Sequence, residues 1–401
     1  MANTILTKTE ITRNALRILH NNLAFSRGVD KQYDNRFAKT EKIGNTLQIR
    51  LPNRYEVTTG AALNTQDVEE EQVTLTVATQ KHVAMNFTTA ELTMKIDDFS
   101  KRILRPAMAK LASVVDRDGL TEAYQNTYNS VGAYGTTPNT LLVWLQAGQK
   151  LDEFATPRDD QRGLYMNPAA MASTVDALKG LFQSSNKISE QYQSGMMGQA
   201  AGFKWNMTQN VNVHTQGAFA GTTLVDEAGG VTSGDEVLTV DAFTDSAPTV
   251  KKGDIFTVAG VNAVNPETGQ DNGVLQQFVV TADTTGSSNE ITIPLAPAMI
   301  NSGAKKTITA LPANEAAVTF LGTAEGAKPI NIACHKEAIT LVTADLQMPK
   351  GVDFASRAVF DGISLRLVRQ YDINNDRLPC RVDVYYGWKM TRPEMSCRVQ
   401  G

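Results

Sequence analysis

The feature that most constrains this chain is a long interval without arginine. No arginine lies between Arg162 and Arg357, and within that gap residues 222–325 carry four lysines against thirteen carboxylates. The stretch holds a formal charge of −9, which leaves +5 on the remainder of a chain whose net charge is −4. Such a change of sign marks an acidic, self-contained module set into a mildly basic host. The module contains no Cys, His, Trp or Tyr, so it lacks most of the side chains that act as nucleophiles, metal ligands or proton carriers. Gly229, Gly230, Gly234, Gly253, Gly260, Gly269, Gly273 and Gly286 separate its short apolar runs. Its candidate strands are 236–240, 250–258, 274–282 and 289–294, with 305–310 as a further member. Short strands divided by turn signals predict a small barrel or sandwich.

The 401 residues allow two or three compact units, and 42% hydrophobic with 20% charged residues exclude wholesale disorder. The weakly negative total gives no global field favouring nucleic acid or an anionic membrane, although a local basic face is compatible with it. The start, Met1-Ala-Asn-Thr, lacks the basic and apolar regions of a secretory signal, and no stretch approaches the roughly 20 apolar residues of a membrane span. A soluble chain made in the cytoplasm is expected. Cys334, Cys380 and Cys397 are odd in number, far apart and in no CxxC pair, which predicts buried reduced thiols and neither a disulfide frame nor a zinc site.

Along the chain, Thr7 and Glu10 form a capping-box pattern, and Ile11, Ala15, Ile18, Leu19 and Leu23 recur behind it at helical spacing. The polar run 26–36 is too poor in apolar residues to pack and reads as an extended arm. Between 43 and 88 the period becomes two: Leu47, Ile49 and Leu51, then Val73, Leu75 and Val77, alternate with polar residues on either side of the acidic 67–71. This predicts a long hairpin with a polar tip. Because a two-stranded ribbon is marginal alone, a neighbouring subunit is expected to support it.

Residues 96–128 give the longest helical signal, with Leu104, Met108, Leu111 and Val115 on one face. Pro106 should start or kink that helix, and Gly119 is a weak point in it. A second helix is predicted over 140–154, and a third is capped by Asn167 with Pro168 in its first position. Residues 184–202, containing Met196 and Met197 between glycines, read as a mobile loop. After the acidic module, 339–342, 363–368 and 381–386 alternate well and are expected to complete a sheet interrupted near residue 220.

The chemistry-bearing residues do not assemble into a motif. His20, His82, His214 and His335 fall in four different predicted elements, and a hydrogen-bonded structural role is expected even for His214, the one beside a plausible loop. Asp372, Asn374 and Asp376 occupy positions one, three and five of a calcium-loop pattern. Position six, however, is Arg377 where glycine is needed, and position twelve is Asp383 in place of a bidentate glutamate. A polar turn between strands is expected there. Asp97–Asp98 and the pair Asp116 and Asp118 fit helix-surface carboxylates better than an acid–base couple. No catalytic, cofactor-binding or metal-ligating residue is assigned.

The order of elements, an N-terminal helix and arm, a long hairpin, a long helix, and a mixed region split by a β-rich insertion, resembles the major capsid proteins of tailed bacteriophages. Their shared α+β architecture is called the Johnson fold. The resemblance is sharpest at Gln80-Lys-His-Val, in the run from Ile96 through Arg105-Pro-Ala-Met to Ala112, and in Val384-Tyr-Tyr-Gly-Trp-Lys-Met-Thr-Arg-Pro-Glu394. These look like coat proteins of the short-tailed P22 type, in which an insertion domain follows a Gly-Phe segment, here Gly202-Phe203. Lys252-Gly-Asp254 and Ala259-Gly-Val261 look like the start of a strand pair in that insertion.

The resemblance implies an N-arm at 1–36, an E-loop at 37–88, and a spine helix with peripheral domain at 89–135. It further implies an axial domain at 136–220 and 327–385, an inserted β-barrel domain at 221–326, and a return to the periphery at 386–401, around Trp388. It implies a major capsid protein that self-assembles, as hexamers and pentamers, into the icosahedral shell enclosing a double-stranded DNA genome. A scaffolded procapsid would mature by conformational change, with a scaffolding protein and a portal as partners, nonspecific proximity to packaged DNA, no membrane and no cofactor. The location implied is the virion, after assembly in the host cytoplasm, without covalent welding of subunits. The alternative is a phage tail or adhesin subunit with an acidic recognition module. An enzyme with an unfamiliar site would need a deep pocket of converging polar groups.

Overall fold

The computed structural model describes residues 8–32, 46–61, 65, 70–88, 103–178 and 198–400. The capping box begun by Thr7, the pair Asp97–Asp98, the hairpin tip at 66–69 and most of the loop at 184–202 lie outside the described residues. Two compact units are formed. The first comprises Met1–Ile49, Gln72–Gly119 and Ile339–Lys389, and the second Arg50–Glu71, Leu120–Ala338 and Met390–Gly401.

In the first unit the helix Lys8–Asn22 buries Ala15, Leu16 and Leu19, and Leu23 just beyond it, while Arg13 and Arg17 face outward. A sheet runs in the order Asp30–Gln32, Ile339–Thr343, Arg377–Met390, Ile363–Arg369, Phe354–Phe360, and Thr79–Thr88 also pairs with Arg377–Met390. The arm expected to be unpacked therefore contributes a strand. Asp30, Lys31 and Gln32 pair in parallel with Thr340, Leu341 and Val342, so backbone hydrogen bonding anchors a segment that its side chains could not. Strands Thr46–Arg50 and Gln72–Thr76 form the hairpin, and its Leu47 and Leu75, with Val77 beyond, pack on Val342 and Ala344. The root of the ribbon is thus packed against its own chain.

The helix Arg105–Asn126 places Pro106 in its first turn, where the missing N–H has no partner to lose, and buries Met108, Leu111, Ala112 and Val115. At 1.5 Å per residue it is about 33 Å long. Its residues up to Gly119 belong to the first unit and those from Leu120 to the second.

The second unit holds a sheet in the order Ser130–Val131, Ser396–Val399, Asn331–His335, Arg162–Met166, Phe203–Met207, Gln199–Ala200. Helices Leu141–Glu153 and Pro168–Leu178 share one core with it, in which Trp144, Leu151, Leu164, Met171, Phe203 and Trp205 are buried. Asn167 accepts from the N–H of Ala170 at 2.9 Å, which caps the second of these helices. Strands from before and after the acidic stretch do meet in this sheet, but those from after it are Asn331–His335 and Ser396–Val399. The expected strands at 339–342, 363–368 and 381–386 belong to the sheet of the first unit. Alternation identifies a strand and its buried face without naming the partner it pairs with.

The acidic stretch forms a six-stranded sheet in the order Gly221–Val225, Asp235–Phe243, Ile291–Met299, Asp271–Val280, Ile255–Val264, Val318–Phe320. A bridge between Leu224 and Ala317, with the Val225 N–H donating to Ala316 O at 2.9 Å, joins its two ends and closes it into a barrel. Phe219 stacks on Phe320 at 4.4 Å between ring centres, and Phe256, Phe278, Leu238 and Ile293 fill the interior. The expected strand at 305–310 does not form. Only Ile308 bridges, to Ala263, while the Thr307 hydroxyl donates to Ala298 O and holds the segment as a turn.

Candidate functional site

The four histidines remain apart in chemistry as they were in sequence. In the second unit, His214 is buried with Nε2 2.8 Å from Asp254 Oδ1, and its ring lies 5.4 Å from that of Tyr124. Asp254 also accepts from the N–H groups of Lys251 at 2.8 Å and Gly217 at 3.1 Å, so the carboxylate closes the Lys251–Asp254 turn of the barrel. The buried guanidinium of Arg398 donates to Gly253 O and sits over the Tyr124 ring. Burial lowers the Arg398 pKa to about 10 against the opposing pull of Asp254, and it remains a cation at neutral pH. This cluster fastens the barrel to the strand Ser396–Val399. It has no open position for a substrate.

His335 Nε2 lies 3.0 Å from Asp159. In the first unit His20 meets Asp361 at 2.8 Å, and Lys31 binds the same carboxylate. His82 stands opposite Asp383 in the pairing of Thr79–Thr88 with Arg377–Met390.

Asp116 and Asp118, expected as helix-surface carboxylates, point to different partners, and Asp116 is not on the surface. Asp116 is fully buried and accepts from the N–H groups of Ala24 at 2.7 Å, Phe25 at 3.1 Å and Ser26 at 3.0 Å, and from the Ser26 hydroxyl at 2.5 Å. Burial raises its pKa, opposed by these hydrogen bonds. Asp118 accepts from the Tyr386 hydroxyl at 2.6 Å and faces Lys81. Asp372, Asn374 and Asp376 form a self-closed turn: Asp372 accepts from the Asn374 N–H and from Asn375 Nδ2, and Asp376 accepts from Tyr371. Among the described residues no three potential ligands converge as a metal site would require.

Two ion clusters had no signature in the sequence. Asp383, fully buried, accepts from Arg366 Nη2 at 2.8 Å, Arg381 Nε at 2.6 Å and Gln80 Nε2 at 3.1 Å. Burial pushes its pKa up, but the hydrogen bonds from Arg366, Arg381 and Gln80 outweigh it and hold the carboxyl below its ordinary range. Asp152 receives Arg158 and Arg162, and the bond from Arg158 contributes most to holding it low. Arg381 and Asp383 are two residues apart and Asp152 lies six and ten residues from its arginines, but these spacings form no known motif, and Gln80 joins Asp383 from 303 residues away.

The groove beside Asp152 has a volume of about 780 Å³ and is lined by Leu145, Gly148, Gln149, Arg158, Arg162 and Gly202 among others. Within it Asp152 is paired with Arg158 and Arg162. Exposed apolar residues lie at Tyr55 and Val57 of the hairpin segment and at Leu142 and Leu145 of the helix Leu141–Glu153. Among the described residues no helix is long and apolar enough to cross a membrane.

Solved structures that this chain is similar to include one titled Mycobacterium phage Che8, at 11% identity and TM-score 0.46, covering 94% of this chain and 90% of that one. Another is the asymmetric unit of the bacteriophage PhiM1 mature capsid, at 10% identity and TM-score 0.45, covering 94% and 86%. A third is the capsid structure of the cyanophage P-SCSP1u, at 10% identity and TM-score 0.43, covering 92% and 88%. No curated protein matches the chain in sequence. Residues 2–401 match the family model described as P22 coat protein, gene protein 5, so the chain belongs to the P22 coat protein family and is a major capsid protein whose copies build a phage head shell.

Proposed function

We propose that this coat protein assembles in the host cytoplasm, with a scaffolding protein and a portal, into an icosahedral procapsid of hexamers and pentamers. The shell encloses double-stranded DNA and changes conformation as the genome enters. The observation that carries this reading is the family match over residues 2–401. It is supported by the sheet of the first unit, in which the strand Arg377–Met390 pairs with Thr79–Thr88, the strand that follows the hairpin, along ten consecutive positions. An arm grown from such a base can shift as a body without losing its root.

Within the subunit we assign residues 1–36 to an N-arm, 37–88 to the E-loop and 89–135 to the spine helix and peripheral domain. Residues 136–220 and 327–385 are assigned to the axial domain, 221–326 to an inserted domain, and 386–401 to a return to the periphery. The closed barrel with its own aromatic core supports the inserted domain. Its −9 charge favours a position away from packaged DNA. Shell building requires complementary surfaces and no catalysis, and the saturation of the buried carboxylates fits a structural role. Electron microscopy of the protein co-expressed with its scaffolding protein is the test. Closed shells of uniform size are expected, and small discrete oligomers under every assembly condition would count against the reading.

A further inference from the structure

Residues 12–29 contain Arg13, Arg17, His20 and Arg27 and not one carboxylate. Most of this run is the helix Lys8–Asn22, whose buried side carries Thr12, Ala15, Leu16 and Leu19. Arg13 and Arg17, four residues apart, stand about 5–6 Å from each other at Cβ on the opposite side, and Arg27 is exposed in the turn beyond. Several other cations of the first unit are matched: Lys31 with Asp361, Arg357 with Asp345, Arg369 with Asp353, Arg366 and Arg381 with Asp383. Among the described residues Arg13, Arg17 and Arg27 make no ion pair. His20 is the exception within the run, engaged by Asp361.

We infer that the outer face of this helix, with Arg13, Arg17 and Arg27, is a phosphate-contacting surface for the nucleic acid inside the shell, an inference that rests on the proposed enclosure of DNA. Guanidinium groups fixed on a rigid helix position a phosphate backbone without reading its sequence. An acidic protein segment would satisfy the same charges, but a protein interface also needs an apolar centre. No large hydrophobic side chain is exposed between residues 12 and 29; the one exposed ring beside the run is Phe360, edge-on to His20 at 5.1 Å. Apart from that ring at its edge, the face offers charge and amide groups, including exposed Asn22. A few contacts of this kind would be weak singly and additive over many copies in a shell, holding DNA without stopping its movement.

The test is binding of a short labelled DNA duplex to the full-length protein, read by fluorescence anisotropy between about 50 and 200 mM salt. R13Q/R17Q should lower the slope of log affinity against log salt by about two and weaken binding about tenfold at the low-salt end. Adding R27Q should lower the slope by about one more. R13K/R17K should keep the slope, and K350Q, at an exposed lysine elsewhere in the unit, should leave both quantities unchanged. An unchanged slope in R13Q/R17Q overturns the inference, as does absence of DNA binding by the unmodified protein. Tighter binding of polyglutamate than of DNA also overturns it and assigns the face to an acidic protein. Imaging the same preparations separates the two claims: shells without arginine-dependent DNA binding sink this inference alone, and arginine-dependent binding without shells sinks the assembly reading alone.

Discussion

Gly119 and Trp388 are fitted so closely that a Cβ at position 119 would stand 2.6 Å from Cζ2 of the indole. The ring also lies 5.6 Å from that of Phe25, three residues beyond the N-terminal helix. A glycine that weakens a helix on propensity grounds is therefore what allows the strand Arg377–Met390 to lay its tryptophan on the long helix. Gly119→Ala should destabilise by about 1–3 kcal/mol, because the overpacking of a rigid ring exceeds the gain of about 1 kcal/mol in helix propensity. Urea unfolding followed by far-ultraviolet circular dichroism measures the change, and a variant as stable as the parent would contradict the packing argument.

Asp116 anchors the segment that leaves the N-terminal helix by accepting from three consecutive backbone N–H groups and one hydroxyl. Asp116→Ala leaves those donors buried without an acceptor, at about 1–3 kcal/mol for each one that cannot find water. The loss should be local before it is global. Hydrogen exchange should show protection falling in the helix Lys8–Asn22 well ahead of the sheet strand Arg377–Met390, and equal loss in both would mean that the anchor is not local.

How much of this was legible in the sequence differs with the kind of interaction. Helix phase was readable because Ala15, Leu19, Met108, Leu111 and Val115 repeat at a period set by the backbone itself, and all are buried. The start at Pro106 and the cap at Asn167 were readable for the same reason, since both act within one turn. Strand partnership was not: Ile363–Arg369 alternates whether it joins one sheet or another, and the choice depends on tertiary packing. Nor could sequence reveal that Asp383 collects Arg366, Arg381 and Gln80, a set that comes together only when three strands lie side by side. The family was legible because whole segments resemble it in order.

Asp383 makes acid stability a specific expectation. Its folded-state pKa is depressed, so its contribution is fully present above the unfolded carboxylate pKa near 4 and is lost as pH falls through the lower folded value. Between about pH 5 and pH 2 the parent should lose stability more steeply than Asp383→Asn, which is less stable at neutral pH but has no such proton to take up. Parallel curves for the two proteins across that range would show that another carboxylate governs the acid limb.

The three cysteines should be inert while the protein is folded. All are buried and unpaired, and burial pushes the thiols of Cys334 and Cys397 up to about 12. The thiolate is the reactive form, so neither access nor ionisation favours reaction. Treatment with iodoacetamide at about pH 8, near the ordinary thiol pKa, should leave the native chain unmodified and alkylate all three cysteines after denaturation. Fast single alkylation of the native protein would contradict the burial of the residue modified.

Removal of residues 222–325 tests what the acidic barrel does for the rest of the subunit. Ile255, Ala263 and Val279 of the barrel share a core with Tyr128 and Phe154, and Gly253 O is the acceptor for Arg398. Gln277 adds a reciprocal pair of hydrogen bonds to Ser130, at 2.7 and 2.9 Å. Deleting the stretch would bare two aromatic rings and strip a buried guanidinium of its carbonyl and of the nearby carboxylate of Asp254, which is far more damaging than loss of an exposed appendage. The deletion variant should therefore be recovered misfolded or form shells of irregular size. Phe256→Ala, which hollows the barrel while leaving this seam in place, should cost about 3–5 kcal/mol and still permit shells of normal size at low temperature. Normal folding and uniform parent-sized shells from the deletion variant would show that the seam contributes nothing to the host fold.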